Sequence, residues 1–428
     1  MSEDIDRDES GGDDDDDEYD EDEHFVIFKN GLRLAKPYRF DFIANVKKRW
    51  TSDRYDRTQK TQKTIVDVFY EEFPNLPRTY YEDAYYSGRL RVEKRNDNKN
   101  DDKTEKRVRV GAELPPPPVL IAGERVRHLV HKHEPPVLCS KDEKIEILKE
   151  INNICAVRKP ATVPVHPTGQ YRMNSVVEIL ALERATKKLQ PSRLLPIHRL
   201  DRNVSGLLLM AKTSEAAKLV TDLIVANKVR KEYVARVRGL FPETKSLVCE
   251  TPLGFCNKTH IAIWNEDTNG NDDGDHDHHR SSSSAAAVFK YAKTTFTLIK
   301  HFPDSNESLI QCNPETGRTH QIRAHLKLLG FPIANDVLYG GQLNNEQERL
   351  QEEYQRICDS FKRFHRHEKS GDYCDDDDFE CPHCPLLCWF GSRATHDLEA
   401  IYLFCLKYTC DGVFDFECHP LPKWSSSS

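Results

Sequence analysis

Pro196-Ile197-His198-Arg199-Leu200-Asp201-Arg202-Asn203-Val204-Ser205-Gly206-Leu207-Leu208-Leu209 changes character at Ser205. Before it lie a histidine, two arginines and one carboxylate; after it the chain is apolar through Ala211. A short apolar run bounded by turn signals reads as a buried strand. The charged cluster then stands in a loop at that strand's mouth, with Asp201 between Arg199 and Arg202. Taken alone, an Asp between arginines is most often a structural ion pair. A catalytic carboxylate is the sharper alternative.

Strands and helices extend on both sides of this stretch. Ile154–Arg158, Glu232–Arg238, Ala292–Leu298 and Ser308–Cys312 read as strands. Ser175–Lys187, Glu215–Asn227 and Arg318–Leu329 read as helices, the last ended by Gly330. Strands and helices mix without regular alternation, which argues an α+β fold. Two further segments stand out. Lys231-Glu232-Tyr233-Val234-Ala235 places a tyrosine in a half-buried strand, where the bland reading is core. Thr316-Gly317-Arg318-Thr319-His320-Gln321-Ile322-Arg323 gathers basic side chains around a helix start, with Thr316 or Thr319 as its cap. Such a start suits a phosphate, or is an ordinary solvated helix end.

The domain plan follows from composition. Residues 1–24 hold fifteen Asp and Glu against Arg7 alone and are expected to form a disordered acidic tail. Residues 25–137 form an N-terminal region, irregular and basic over 25–60. Within it, about 62–133 reads as a small αβ module: a helix from Thr64, a second helix around Tyr80–Tyr86, and strands at Arg89–Val92, Val119–Ile121 and Arg125–His131. Its basic strands would face RNA, or simply present a solvated face. Residues 144–345 form the main domain, interrupted at 265–287 by an insertion of disordered composition. Residues 346–428 form a C-terminal extension.

The formal charge of −8 hides a tail of −14, so the rest of the 428 residues carries +6. A mildly basic body suits a polyanionic partner. No stretch of 18 apolar residues is present, so no membrane span is expected. The acidic start argues against a secretory or organelle leader, which points to cytosol or nucleus ahead of mitochondria. Thirteen cysteines then read as mostly reduced thiols.

The three segments together resemble the RluA family of pseudouridine synthases. His198-Arg199-Leu200-Asp201 with Ser205-Gly206-Leu207-Leu208 is similar to its central motif, Lys231–Ala235 to its second, and Gly317–Arg323 with Leu329-Gly330-Phe331-Pro332-Ile333 to its third. His166-Pro167-Thr168-Gly169 matches the stretch before them. Phe40–Lys47, the helical pair from Thr64 and His133-Glu134-Pro135-Pro136 resemble the N-terminal region of the eukaryotic branch. Departures are Asn203-Val204, the 265–287 insertion, and Phe404-Cys405 where the family often has His-Ala.

The resemblance implies a mixed, mainly antiparallel sheet with flanking helices, preceded by a small αβ RNA-binding module. It implies an isomerase that detaches a uracil, rotates it and rejoins it through carbon 5, with no metal or organic cofactor. It assigns Asp201, Tyr233 and Arg323 to catalysis. Asp201 attacks the anomeric carbon or the base ring, or deprotonates the sugar. Tyr233 packs on the base and takes part in removing the carbon-5 proton. Arg323 pairs with Asp201, so Arg323→Ala should lose activity with the fold intact. Arg199 would fill the gap left by the displaced nucleotide, Arg318 would touch a phosphate, and His198, His320 and Gln321 would contact RNA. The substrate is tRNA, with mRNA second, and the enzyme a monomer without a nucleotide cofactor.

Two competing classes remain. One is a protein of the same fold that binds RNA without activity. The other is a zinc-dependent scaffold built on Cys381 and Cys384, with Cys374, Cys388, Cys405, Cys410 or Cys418 completing a site. Reduced surface thiols are the preferred reading of these cysteines.

Overall fold

The computed structural model describes residues 26–29, 32–35, 38–47, 50–51, 63–73, 76–93, 115–132, 134–139, 144–243, 246–256, 259–264, 288–345 and 400–426, with a few more over 347–356. The expected acidic tail, the insertion 265–287 and the Cys381–Cys384 segment lie outside these residues.

Residues 25–60, expected to be irregular, hold three strands: β1 (Val26–Lys29), β2 (Leu32–Ala35) and β3 (Tyr38–Asn45). In β3 Phe42 and Ala44 pack inward while Arg39, Ile43 and Asn45 are exposed. That is the two-residue period of a half-buried strand, masked in the sequence by interleaved charge. Helix α1 (Ile65–Glu72) begins at a reciprocal cap. The Thr64 hydroxyl accepts from the Asp67 amide, and the Asp67 carboxylate accepts from the Thr64 amide at 2.8 Å. With α2 (Arg78–Tyr86), α1 covers a sheet that adds β4 (Leu90–Glu93) and β5 (Arg125–Lys132) in the order β3-β5-β4. Phe69, Tyr80 and Tyr81 fill the space between. Val119 contributes only an isolated bridge to Thr64, not the expected strand.

The basic strands of this module are partly paired with acidic neighbours. Arg127 donates to Asp41 at 2.6 Å and Arg125 to Glu93 at 3.0 Å, so this face carries its own counter-charges. A short strand, β6 (Val137–Leu138), joins β1 and β2 in a separate sheet. Buried Glu134 ties the N-terminal region to the main domain. Its carboxylate accepts the amides of Arg172, Met173 and Asn174 at 2.7–2.9 Å and the Tyr38 hydroxyl.

The main domain runs through β7 (Glu146–Ile151), β8 (Ile154–Lys159), α3 (Val176–Thr186), β9 (Leu195–Pro196), β10 (Ser205–Ala211) and α4 (Ser214–Val225). It continues with β11 (Arg230–Arg238), β12 (Leu247–Cys249), the hairpin β13 (Gly254–Cys256) and β14 (Ile261–Ile263), β15 (Thr294–Phe302), β16 (Glu307–Pro314) and α5 (Gln321–Leu328). Two strands follow much later, β17 (Leu403–Cys410) and β18 (Phe414–Glu417). Among the described residues ten strands form one sheet, with the path β12-β15-β16-β11-β17-β10-β8-β7; β18 flanks β17 and β9 flanks β10. Among the described pairings of this sheet, only β10–β17 is parallel. The α+β class and the mainly antiparallel sheet are as expected.

The division at 345 is corrected. β17 is hydrogen-bonded between β10 and β11, so the last strands complete the main sheet rather than extend it. Without β17 two long central strands would each present an unpaired edge. The close pairing requires Gly206. It has φ +112°, and a Cβ there would lie 2.3 Å from the carbonyl oxygen of Cys405. Gly206→Ala is expected to cost about 3 kcal/mol through strain and overpacking. Urea denaturation checks this; an unchanged midpoint would mean that β17 is not held against β10.

Candidate active site

Asp201 sits in the loop entering β10, with its side chain about one-fifth exposed. Several hydrogen bonds pin that loop. The Val204 amide donates to the Asp201 carbonyl at 3.1 Å, and the Ile401 amide to the Asn203 carbonyl at 3.1 Å. From beneath, the Lys159 ammonium donates to the carbonyls of Pro160, Val163 and Arg202 at 2.8, 2.8 and 3.0 Å. Burial holds this lysine well below its ordinary pKa, Arg202 adds to that, and Asp201 opposes it.

Helix α5 and its cap residue His320 face Asp201 with two basic side chains. Arg323 Nη1 lies 3.8 Å from its carboxylate, and His320 Nε2 lies 3.8 Å away. The Arg323 fork is directed elsewhere: Nε and Nη2 donate to Asp336 at 2.6 and 2.8 Å, and both side chains are buried. Burial opposes the Arg323 charge, but the hydrogen bonds and charge of Asp336, then Asp201, outweigh it and raise its pKa. Burial pushes His320 down to about 4 despite Asp201, leaving it neutral at pH 7. Arg323 is therefore the cation that Asp201 meets from this helix.

Sheet register brings the second segment to the same level. Gly206 pairs with Cys405 in β17, and Cys405 pairs with Tyr233 in β11. Tyr233 thus stands two strands from the end of the Asp201 loop, on the order of 10 Å. It is 9% exposed, and burial raises its hydroxyl well above the ordinary range. Lys231 donates to the Thr316 carbonyl at 3.4 Å, joining the second segment to the third.

Comparison with known proteins bears on this arrangement. A family model described as RNA pseudouridylate synthase matches residues 153–328. RNA pseudouridine synthase 7 of Arabidopsis thaliana is 36% identical over 405 residues, covering 94% of this chain and 88% of its own. The tRNA pseudouridine(31) synthase of Saccharomyces cerevisiae is 31% identical, covering 94% and 97%. The mitochondrial tRNA pseudouridine(32) synthase of the same organism is 35% identical, covering 74% and 57%. The chain belongs to the RNA pseudouridine synthases. Enzymes of this family isomerise uridine in RNA.

Within this pseudouridine synthase the structure brings Asp201, Arg323 and His320 into one cluster, but gives other expected contact residues different work. Gln321 is 4% exposed. Its oxygen accepts from the Thr316 hydroxyl and the Arg318 amide, and its nitrogen donates to the Lys293 carbonyl and the Thr294 hydroxyl. It is saturated inside the protein and has nothing left for RNA. It also organises the start of α5, so neither Thr316 nor Thr319 caps a helix beginning at 318. His198 is likewise turned inward, its Nε2 accepting the Leu209 amide at 3.1 Å. Arg318 is anchored by the Tyr291 carbonyl at 2.9 Å.

Arg199 is exposed and lines a cleft of about 450 Å³ with His166, Gly169, Tyr171, Arg202 and His260. The cleft lies between the turn after β8 and the Asp201 loop. Lys159, Asp336 and Tyr339 were not singled out in the sequence. Lys159, which ends an apolar strand before Pro160, carried a signal; Asp336 carried none. Tyr339 lies under the Arg323 guanidinium at 4.8 Å and bonds His320 Nδ1 at 2.9 Å. As for a metal, Cys405, Cys410 and Cys418 are buried free thiols, and no metal-binding cluster occurs among the described residues. No described helix is long and apolar enough to cross a membrane.

Burial also pushes His198 down to about 4. Both histidines therefore take up protons more readily in the unfolded chain, from about pH 6.5 downward, so stability should fall as pH drops from 6.5 toward 5. Thermal midpoints across that interval test this. Replacing both by Gln should flatten the decline, and an equally steep decline would assign it to other groups.

Proposed function

We propose that this enzyme converts specific uridines of tRNA to pseudouridine, with Asp201, Tyr233 and Arg323 as the reacting set. The observation that carries the assignment is the Asp201 carboxylate at the mouth of β10, facing Arg323 at 3.8 Å and level with Tyr233 across two strands. Asp201 supplies the ionised carboxylate that breaks the glycosidic bond. Arg323, clamped by Asp336, presents a fixed positive charge to it. Tyr233 packs on the uracil and takes part in removing the carbon-5 proton after rejoining. Because a stacked base cannot reach Asp201, the uridine must leave its stack, and Arg199 at the cleft fills the vacated place. Arg318, at the rim near Tyr291, meets a phosphate.

The tRNA choice is supported by full-length similarity to an enzyme named for tRNA position 31; mRNA is the second substrate class. The enzyme acts as a monomer without a nucleotide cofactor. The test is incubation of the protein with unmodified tRNA transcripts and with mRNA, followed by mapping of pseudouridine at single-nucleotide resolution. Sites confined to tRNA are expected. Sites found only in mRNA would reverse the substrate assignment, and none in either would leave the inactive RNA-binding class.

A further inference from the structure

His320 and Arg323 approach the same atom of Asp201. The nearest approach of each is to Oδ2, at 3.8 Å. Asp336 fixes Arg323. His320 is fixed by Tyr339, from the short 3-10 helix Val337–Tyr339 that follows α5. Tyr339 is 2% exposed. Among the described residues its hydroxyl has two hydrogen-bond partners, the Ala262 amide at 2.8 Å and His320 Nδ1 at 2.9 Å. A backbone N–H only donates, so the hydroxyl accepts from Ala262. Its own proton then has one acceptor, His320 Nδ1. The reverse arrangement, with Nδ1–H donating, would leave that buried hydroxyl proton unbonded, which is costly. It would also turn the bare lone pair of Nε2 toward the Asp201 carboxylate. A neutral imidazole accepts at one nitrogen and carries its proton on the other. His320 therefore carries its proton on Nε2, facing Asp201. Phe255 and Tyr339 meet the imidazole edge-on, with centroids 6.1 and 5.7 Å away, and hold its plane.

We propose that His320 is a positioning residue for Asp201: with its tautomer set by the Tyr339 hydroxyl, it directs Nε2–H at carboxylate Oδ2 beside Arg323 and leaves Oδ1 to meet the nucleotide. This rests on the assignment of Asp201 given above. The gap of 3.8 Å is closed by a small turn of the Asp201 side chain, which has no hydrogen bond of its own among the described residues. Such bonds are often long in the free enzyme and tighten when substrate binds.

The first measurement is nitrogen NMR of the full-length protein at pH 7 with 15N-labelled histidine. His320→Gln identifies the His320 signals by their loss. Nδ1 is expected at a pyridine-type shift and Nε2 at a pyrrole-type shift. Tyr339→Phe should move the Nδ1 signal, which loses its donor. The opposite tautomer in wild type, or an unmoved Nδ1 signal in Tyr339→Phe, would overturn the proposal. The second measurement is turnover on unmodified tRNA transcripts. Gln places its amide nitrogen where Nε2 stands, whereas Asn reaches only to the place of Nδ1. Residue 320 has φ +57°, a conformation that Asn tolerates better than Gln. His320→Asn should therefore be at least as stable as His320→Gln. It should nevertheless lose about tenfold in kcat, the scale of one hydrogen bond to a charged group, while His320→Gln stays within about threefold and KM is unchanged in both. Equal losses in the two variants would overturn the proposal. Asp201→Asn at the wild-type rate would instead remove the Asp201 assignment, and the role of His320 with it, while the tautomer read by NMR would stand.

Discussion

Asp201→Asn is expected to abolish pseudouridine formation, by a factor of at least about 10⁴, the scale seen when a nucleophile is removed. The substitution keeps shape and removes only the negative charge. It should also leave the fold intact. His320 and Arg323 stand 3.8 Å from the carboxylate, outside hydrogen-bonding distance, and Arg323 keeps its two bonds to Asp336. The loop is held by backbone bonds and Lys159, not by the Asp201 side chain. Stability should therefore change by less than about 1 kcal/mol. Single-turnover assays on tRNA transcripts, paired with urea denaturation, separate the two effects. A variant within tenfold of the wild-type rate would place the nucleophile elsewhere.

The second large effect concerns Asp336. Asp336→Ala should cost about 3–5 kcal/mol, because it leaves the Arg323 guanidinium buried without its counter-charge. It should also lower activity, since the clamp presents Arg323 to Asp201. The same reasoning alters the expectation for Arg323. With the guanidinium 4% exposed and Asp336 fully buried, Arg323→Ala strands a carboxylate and should destabilise on the same scale. The earlier expectation of lost activity with an intact fold does not survive this geometry. The pair Arg323→Met with Asp336→Leu removes both charges at similar volume. It should recover most of the stability, as replaced buried pairs do, and recover no activity. Single variants as stable as wild type would show that the pair is not buried in solution.

Legibility in the sequence followed the range of the interactions. The strand β10 and its charged entry loop were readable because a continuous apolar run needs no distant partner to be recognised. α1 and its Thr64 start were readable because the cap and the apolar face are both local. β3 was missed although Phe40, Phe42 and Ala44 keep a period of two, because Arg39 and Asp41 between them resemble a solvated loop. His198 and Gln321 were placed on RNA because polar residues near a catalytic motif invite that reading. Their hydrogen bonds to Leu209, Thr294 and Lys293 span sequence distances that no local pattern encodes.

Asp201 began as a carboxylate between two arginines, and by itself the sequence determined its loop, the strand behind it and, through the three motifs together, the family. The tertiary structure decided what surrounds that carboxylate. It turned the Arg323 fork to Asp336 thirteen residues on, set Lys159 beneath the loop, and drew residues 403–410 from the far end of the chain between β10 and β11. Those outcomes depend on which strands pair and which charges share a buried volume. Pairing and shared burial are set by the whole sheet closing at once, and neighbouring residues carry no record of them.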